Sequence, residues 1–110
     1  MLTLPIQKKW FDMIVSGEKK EEYRNPTKYY QTRFQNLWQG SLIGYDAERK
    51  IRFRNGYSSD TPSIIATVTL GFGEGKPEWG AVPGKEYYIL RIKEIEIEKI
   101  TTKVCHDGTE

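Results

Sequence analysis

The chain has 110 residues, a formal net charge of +2 at pH 7 and acidic and basic residues mixed along its length. This length fits one domain, and the charge is well below that of a dedicated duplex-DNA binder. The only cysteine is Cys105 and the only histidine is His106, which excludes a disulfide framework and a cysteine-rich zinc site. We therefore expect no metal and no cofactor.

The N-terminal half of the sequence predicts two helices. Residues 1–5 are apolar and predict a short strand. Apolar residues then recur at helical spacing over residues 6–14, and Gly17 can adopt the left-handed conformation that ends a helix. Thr27 is a candidate N-cap for a second helix, whose apolar face lies within residues 30–38.

The second half reads as strands. Apolar and polar residues alternate over residues 51–54, over 64–72 and again over 88–92. Residues 71–80 are rich in glycine and predict a loop. The alternation resumes at residues 95–97 with its phase slipped by one residue, which predicts a β-bulge or a bend.

This order of elements predicts an α+β domain over residues 1–104, with a mostly antiparallel sheet that a bend could close on itself. Residues 105–110 predict a frayed tail. No apolar stretch is long enough to span a bilayer, and the first residues lack the pattern of a signal peptide, so the expected location is the cytoplasm. Periodicity assigns one set of residues to the core: Trp10, Phe11, Phe34, Trp38 and the stripe within residues 64–72. Another set is predicted to form an exposed strand face: Glu94, Glu96 and Glu98.

The segment with the most candidate functional side chains runs from Gly17 to Arg24 and has the sequence GEKKEEYR. Gly17 places Lys19 in or just after a tight turn. If the chain then extends, Glu22 and Arg24 point to the same face. A cation, a carboxylate and a guanidinium would then converge beside a helix end, and such a set can bind a polar ligand. The alternative is a solvated cluster of surface ion pairs that has no role in ligand binding.

The same run matches the pattern G-x-K-x-x-E-x-R and in this resembles the ASCH domain family. Gly17, Lys19, Glu22 and Arg24 occupy its fixed positions, after an N-terminal helix and before a largely β half. The resemblance implies a small PUA-like β-barrel with two helices from the N-terminal half packed on it. It also implies a cleft beside the motif for RNA, a nucleotide or a modified base.

Some ASCH-like proteins are amidohydrolases that remove an acyl group from N4-acetylcytidine with a Lys, a Thr and a Glu. Lys19 matches that lysine, whereas Glu22 stands where the threonine would be. Glu74 and Glu78 are the candidates for the third group.

Two further segments are candidates for ligand contact. Arg52 and Arg54 share one strand face and could line a groove for phosphate or stack on bases, or could simply be the solvated face of a half-buried strand. Trp79 lies in the glycine-rich loop and could stack on a base or close over the cleft, or could fold back onto the sheet.

Three hypotheses follow. The first is an RNA- or nucleotide-binding domain that uses Lys19, Glu22 and Arg24. The second is a small hydrolase, either an amidohydrolase on N4-acylated cytidine or a ribonuclease, in which Lys19 and Glu22 would be catalytic. The third is a protein-interaction adaptor that uses exposed aromatic residues.

Overall fold

A computed structural model describes residues 1–39, 47–58 and 60–99. The predicted tail at 105–110, with Cys105 and His106, lies outside the described residues. The described part is an α+β domain, as predicted, with both α-helices in the N-terminal half. In chain order the elements are β1 (Thr3–Ile6), α1 (Lys8–Val15), β2 (Glu21–Arg24), α2 (Lys28–Trp38), β3 (Arg49–Asn55), β4 (Ser63–Glu74), a short 3-10 helix (Pro77–Trp79) and β5 (Glu86–Lys99). No helix of the described part is long and apolar enough to cross a membrane.

The strands form one five-stranded sheet in the order β1-β3-β4-β5-β2. The β1–β3 pair is parallel and the other three pairs are antiparallel. Within the described residues no pairing joins β1 to β2, so the sheet is open and the closed barrel expected from the sequence is not shown. A side chain connects the two edge strands instead, because Arg24 of β2 donates a hydrogen bond to the Pro5 carbonyl of β1 at 2.8 Å.

The main core lies between the sheet and the two helices. Phe11 and Ile14 of α1 and Phe34 and Trp38 of α2 are buried in it, in agreement with their helical spacing. The Thr27 side chain accepts a hydrogen bond from the Tyr30 amide and caps α2, as predicted. The apolar side chains that the sheet contributes to this core are Leu4, Ile6, Ile51, Phe53, Ile64, Ala66, Val68, Leu70 and Leu90.

Two residues predicted to be core are placed differently. Phe72 is 52% exposed, because it lies near the end of the paired part of β4 and β5. Its ring contacts the Tyr88 ring edge-on. Trp10 is only partly buried and packs against the core with one side while it lines a cleft with another. Helical spacing identifies the inner face of α1 but does not distinguish a closed core from the wall of an opening.

The prediction of a loop over residues 71–80 is wrong at its start, because β4 continues to Glu74. Close packing requires one of the glycines in this segment. A Cβ at Gly75 would lie 2.5 Å from the Tyr23 ring and 2.8 Å from the Ala81 Cβ. This close approach explains the glycine just after β4.

The predicted bulge in β5 is confirmed. Val68 of β4 pairs with Ile92, and the preceding Thr67 pairs with Glu94, so that Lys93 is the extra residue. The phase of β5 changes at this point. The three glutamates that follow lie on the outer side of the strand: Glu94, Glu96 and Glu98.

Candidate functional site

The turn after α1 positions the first residue of the motif. Gly17 has a φ of +88°, the left-handed region that favours glycine, and its amide donates to the Ile14 carbonyl. The Lys19 amide then donates back to the Met13 carbonyl at 2.9 Å. The chain becomes extended at Glu21, where β2 begins. The predicted arrangement of a helix end, a turn and a strand is therefore confirmed.

Lys19 is almost completely buried, with 2% of its surface exposed. Its ammonium donates hydrogen bonds to the Glu21 and Trp79 main-chain carbonyls. It also lies 3.0 Å from Glu22 Oε1 and 4.9 Å from the centre of the Tyr23 ring. Burial lowers the pKa of Lys19 from its ordinary value of 10.5, and the Glu22 carboxylate opposes that shift. A buried lysine in this setting is a fixed cation enclosed by acceptors.

Glu22 joins the two cations of the motif. Its Oε2 accepts a hydrogen bond from Arg24 Nη1, and its side chain is 8% exposed. Arg24 also donates to the Tyr23 and Pro5 carbonyls at 2.8 Å each, and its side chain is 13% exposed. The three charged groups converge as alternation predicted, but Lys19 and Glu22 are buried and Arg24 is largely shielded, which excludes the solvated surface cluster. We refer to Lys19, Glu22 and Arg24 as the buried triad.

The charges of the buried triad are paired, but their burial is costly. Glu22 Oε1 is buried and lies 3.0 Å from the Lys19 ammonium. Removing a carboxylate from water costs several kcal/mol even when a cation lies beside it. Buried ion pairs also contribute little net stability compared with apolar residues of the same size. The triad is thus a poor way to stabilise a core, which favours a functional role.

The buried triad forms part of a cleft of about 360 Å³. This volume is at the lower end of the range for small-molecule sites, roughly 300–1,000 Å³. Six of its lining residues are aromatic, and one of them, Tyr57, is 88% exposed, so that the cleft is open to solvent. Besides the triad, the side chains that line it include Pro5, Ile6, Gln7, Trp10, Tyr23, Tyr30, Tyr57, Trp79 and Tyr87.

The Tyr23 hydroxyl connects β2 to the segment that contains Lys76 and Trp79. The Tyr23 hydroxyl donates to Glu21 Oε1 at 2.7 Å and accepts from the Lys76 amide at 2.9 Å. Burial raises the pKa of Tyr23, so the hydroxyl keeps its proton at neutral pH. Together with the bond from Lys19 to the Trp79 carbonyl, these contacts fix the segment that carries Trp79.

Not every predicted site residue reaches the cleft. Trp79 lines it, whereas Arg52 and Arg54 do not. Arg52 forms a salt bridge with Glu98 at 2.7 Å, since the exposed face of β5 places that carboxylate beside it. Glu74 and Glu78 are exposed and do not line the cleft. The groove lined by both arginines is therefore not observed.

Sequence reasoning missed several cleft residues. Gln7, Tyr23 and Tyr87 were not proposed as ligand contacts, and Trp10 and Tyr30 were read only from the apolar faces of their helices. For Tyr23 a signal was available, because it lies inside the motif itself. Gln7 and Tyr87 lie in segments whose patterns show no more than a helix start and a strand.

A comparison with protein-family models, curated proteins and solved structures finds no match to this chain. The described residues contain no group of three or more His, Cys, Asp or Glu side chains that could hold a metal ion. The cleft and the side chains that line it are therefore the basis for a function.

Proposed function

We propose that this domain binds a nucleotide-sized ligand, either a free nucleotide or one base of an RNA strand, in the cleft beside the buried triad. The observation that carries the proposal is a buried set of charges beneath aromatic walls. Aromatic rings stack on bases of any sequence, and a fixed positive charge attracts a phosphate.

The charges of the buried triad sum to +1 when Lys19 and Arg24 are protonated and Glu22 is ionised. The protons of Lys19 point to main-chain carbonyls and to Glu22, so its contribution is a fixed charge. Arg24 is the more exposed cation of the two and is the better placed to contact a phosphate or a base edge. Glu22 orients Arg24 through their hydrogen bond.

The resemblance to ASCH domains belongs to this proposal. The motif positions Gly17, Lys19, Glu22 and Arg24 meet at the junction of α1 and β2, beside the cleft, where the resemblance implies a ligand. The contact between Arg24 and Pro5 brings the two edge strands of the sheet close together, as a barrel-like PUA arrangement would require. Both points support membership of the PUA-like class.

The direct test is a calorimetric or NMR titration with the four ribonucleoside 5′-monophosphates, with ribose 5-phosphate as the control ligand without a base. We expect at least one monophosphate to bind and to shift the indole resonances of Trp10 and Trp79. Trp79→Ala should weaken binding about fivefold or more, because a stacking contact contributes about 1–3 kcal/mol.

Phe72→Ala is the matched control, since Phe72 is a half-exposed aromatic residue that does not line the cleft. It should leave the affinity unchanged. Absence of binding by all four monophosphates and by short RNA would contradict the proposal. Equal losses in the Trp79 and Phe72 variants would also contradict it.

A hydrolase is the second candidate, favoured by one observation: a buried lysine with a lowered pKa lies 3.0 Å from a carboxylate. In an amide hydrolysis, water would add to the acyl carbon and the C–N bond would break. Glu22 would pass the proton from water to the departing amine. The hydrogen bonds from Lys19 to two carbonyls favour its protonated form, which suits a role in stabilising an oxyanion better than one as a nucleophile.

One native mass spectrum separates binding from turnover. The protein is mixed with a short single-stranded RNA that carries one N4-acetylcytidine. Loss of the acetyl group with the wild type, but not with Glu22→Gln, would establish hydrolysis of the amide. A shortened strand with the wild type, but not with Glu22→Gln, would establish ribonuclease activity. A complex with intact RNA would leave the binding function alone.

A further inference from the structure

The surface of α2 beside the cleft has features that the proposed binding of one nucleotide does not use. Tyr29 is 56% exposed at the start of the helix, and its ring lies 4.9 Å from that of Tyr30, which lines the cleft. Arg33, one turn later, places its guanidinium 3.5 Å from the centre of the Tyr29 ring. We call this pair of side chains, Tyr29 and Arg33, the Tyr29–Arg33 face.

The charge of this region has one sign. Residues 23–39 contain the cations Arg24, Lys28 and Arg33 and no acidic residue, although the whole chain carries nearly equal numbers of both charges. The acidic side chains of β5 lie on a different strand face, at Glu94, Glu96 and Glu98. A ligand that leaves the cleft along α2 therefore meets aromatic, positive and uncharged polar side chains, and no acidic side chain of residues 23–39.

We infer that the Tyr29–Arg33 face is a second subsite, which binds the nucleotide next to the one in the cleft. The inference rests on the proposed function and narrows it: the ligand is a single-stranded nucleic acid and not a free nucleotide. Tyr29 supplies a half-exposed ring for stacking, and Arg33 supplies a charge for the intervening phosphate together with a planar surface. The contact between the Tyr29 and Tyr30 rings makes the subsite continuous with the cleft.

An isolated exposed tyrosine would not support this conclusion, since single apolar residues are common on protein surfaces. Three independent features coincide here: the exposure of the ring, the stacked guanidinium, and direct contact with a residue of the cleft. A single-stranded nucleic acid matches all three, because its bases can stack and its phosphates are negative.

The test compares ligands that differ only in length. The four ribonucleoside 5′-monophosphates and the four RNA homotrinucleotides are titrated into wild type and variants. For a base that binds, we expect the trinucleotide to bind at least about tenfold more tightly than the monophosphate. Tyr29→Ala should remove about tenfold of trinucleotide affinity and leave monophosphate affinity within about twofold, and Tyr29→Phe should restore the loss because it keeps the ring.

Arg33→Gln tests the phosphate contact. It should reduce the dependence of log affinity on log salt for the trinucleotide by about 0.7, the value for one contact to a single strand. Gln35→Ala is the matched control, because Gln35 is exposed on the same helix but is turned about 120° away from Tyr29. It should change neither affinity nor salt dependence. Thermal unfolding of each variant establishes that it is folded.

The possible failures are distinct. If a monophosphate binds and its trinucleotide binds no more tightly, the second subsite is wrong while the proposed function stands. If Tyr29→Ala weakens both ligands equally, Tyr29 supports the cleft and the second subsite is again wrong. If no monophosphate and no trinucleotide binds at millimolar concentration, the proposed function fails and the second subsite fails with it.

Discussion

Ile51 and Phe53 in the sheet and Lys19 and Glu22 beside the cleft are all more than nine-tenths buried, but the two regions have opposite chemistry. The first region removes apolar surface from water, which is the main favourable term in folding. The second removes charges from water, which is costly even when they are paired. The same degree of burial therefore serves stability in one region and, in our proposal, ligand binding in the other.

A substitution in the core should have the largest effect on the free energy of unfolding. Phe53→Ala should lower the free energy of unfolding by about 4 kcal/mol, because it removes a fully buried ring and leaves a cavity. Urea denaturation followed by tryptophan fluorescence measures this. The affinity of the fraction that remains folded should not change. The exposed Phe72 provides the control, and a similar loss in Phe72→Ala would show that burial does not determine the cost.

The buried triad should show a smaller but still large cost when it is broken. Glu22→Gln removes the carboxylate that both cations share, leaves Lys19 as an unpaired buried charge, and should lower the free energy of unfolding by about 3 kcal/mol. The double variant Lys19→Met/Glu22→Gln removes both charges of the pair and should regain more than half of that loss, as judged by the same denaturation experiment.

Binding should respond differently from stability in this pair of variants. Neither the single nor the double variant should bind nucleotide, since both lack the Glu22 carboxylate that orients Arg24. Recovery of affinity together with stability in the double variant would show that the triad acts only through the fold. That result would remove the distinction between the two regions.

A third, smaller effect concerns a salt bridge outside both regions. Hydrogen bonds from Arg52 and Ser63 lower the pKa of Glu98 from 4.5 to about 2. Because the folded state favours the ionised carboxylate, the salt bridge contributes to the free energy of unfolding above pH 4.5, and this contribution is lost as the pH falls towards 2. The melting temperature of the wild type should fall more steeply over that interval than that of Glu98→Gln. Glu96→Gln, on the same exposed face of β5, should keep the wild-type slope.

The smallest effect on stability should be at the rim of the cleft. Tyr57→Ala should change the free energy of unfolding by no more than about 0.5 kcal/mol, because the side chain is 88% exposed. It should nevertheless weaken nucleotide binding about fivefold through the loss of a stacking ring. Denaturation and titration of one sample measure both quantities. A change in stability without a change in affinity would place Tyr57 outside the site.

The sequence predicted the local geometry of the motif because that geometry depends on neighbours in the chain. Gly17 and the alternation of Glu22 and Arg24 suffice to place these groups on one side of a turn. The contact between Lys19 and the Trp79 carbonyl joins residues 60 positions apart and has no local signature. Part of what encloses Lys19 is therefore distant in the sequence, and the burial of the triad could not be predicted.

Periodicity likewise identified faces but not their surroundings. It placed Arg52 and Arg54 on one side of β3, but not the Glu98 carboxylate that binds Arg52. It identified the inner faces of α1 and β4, but not where the core ends, and so it assigned Trp10 and Phe72 to the core. It did predict the bulge in β5, because a slip in alternation is itself a local signal.

The extra residue of that bulge has an effect on the shape of the whole sheet. Without Lys93, Glu94 would follow Ile92 and Ile95 would come next, so the side chains directed to the core would stay the same. The strand would be straighter, since a bulge bends its strand and increases the local twist. The bulge lies two residues after Arg91, the partner of Glu21 in β2, so a residue that does not line the cleft can influence the course of β2 towards Pro5. A deletion at this one position can thus alter the opening while the composition of the interior remains constant.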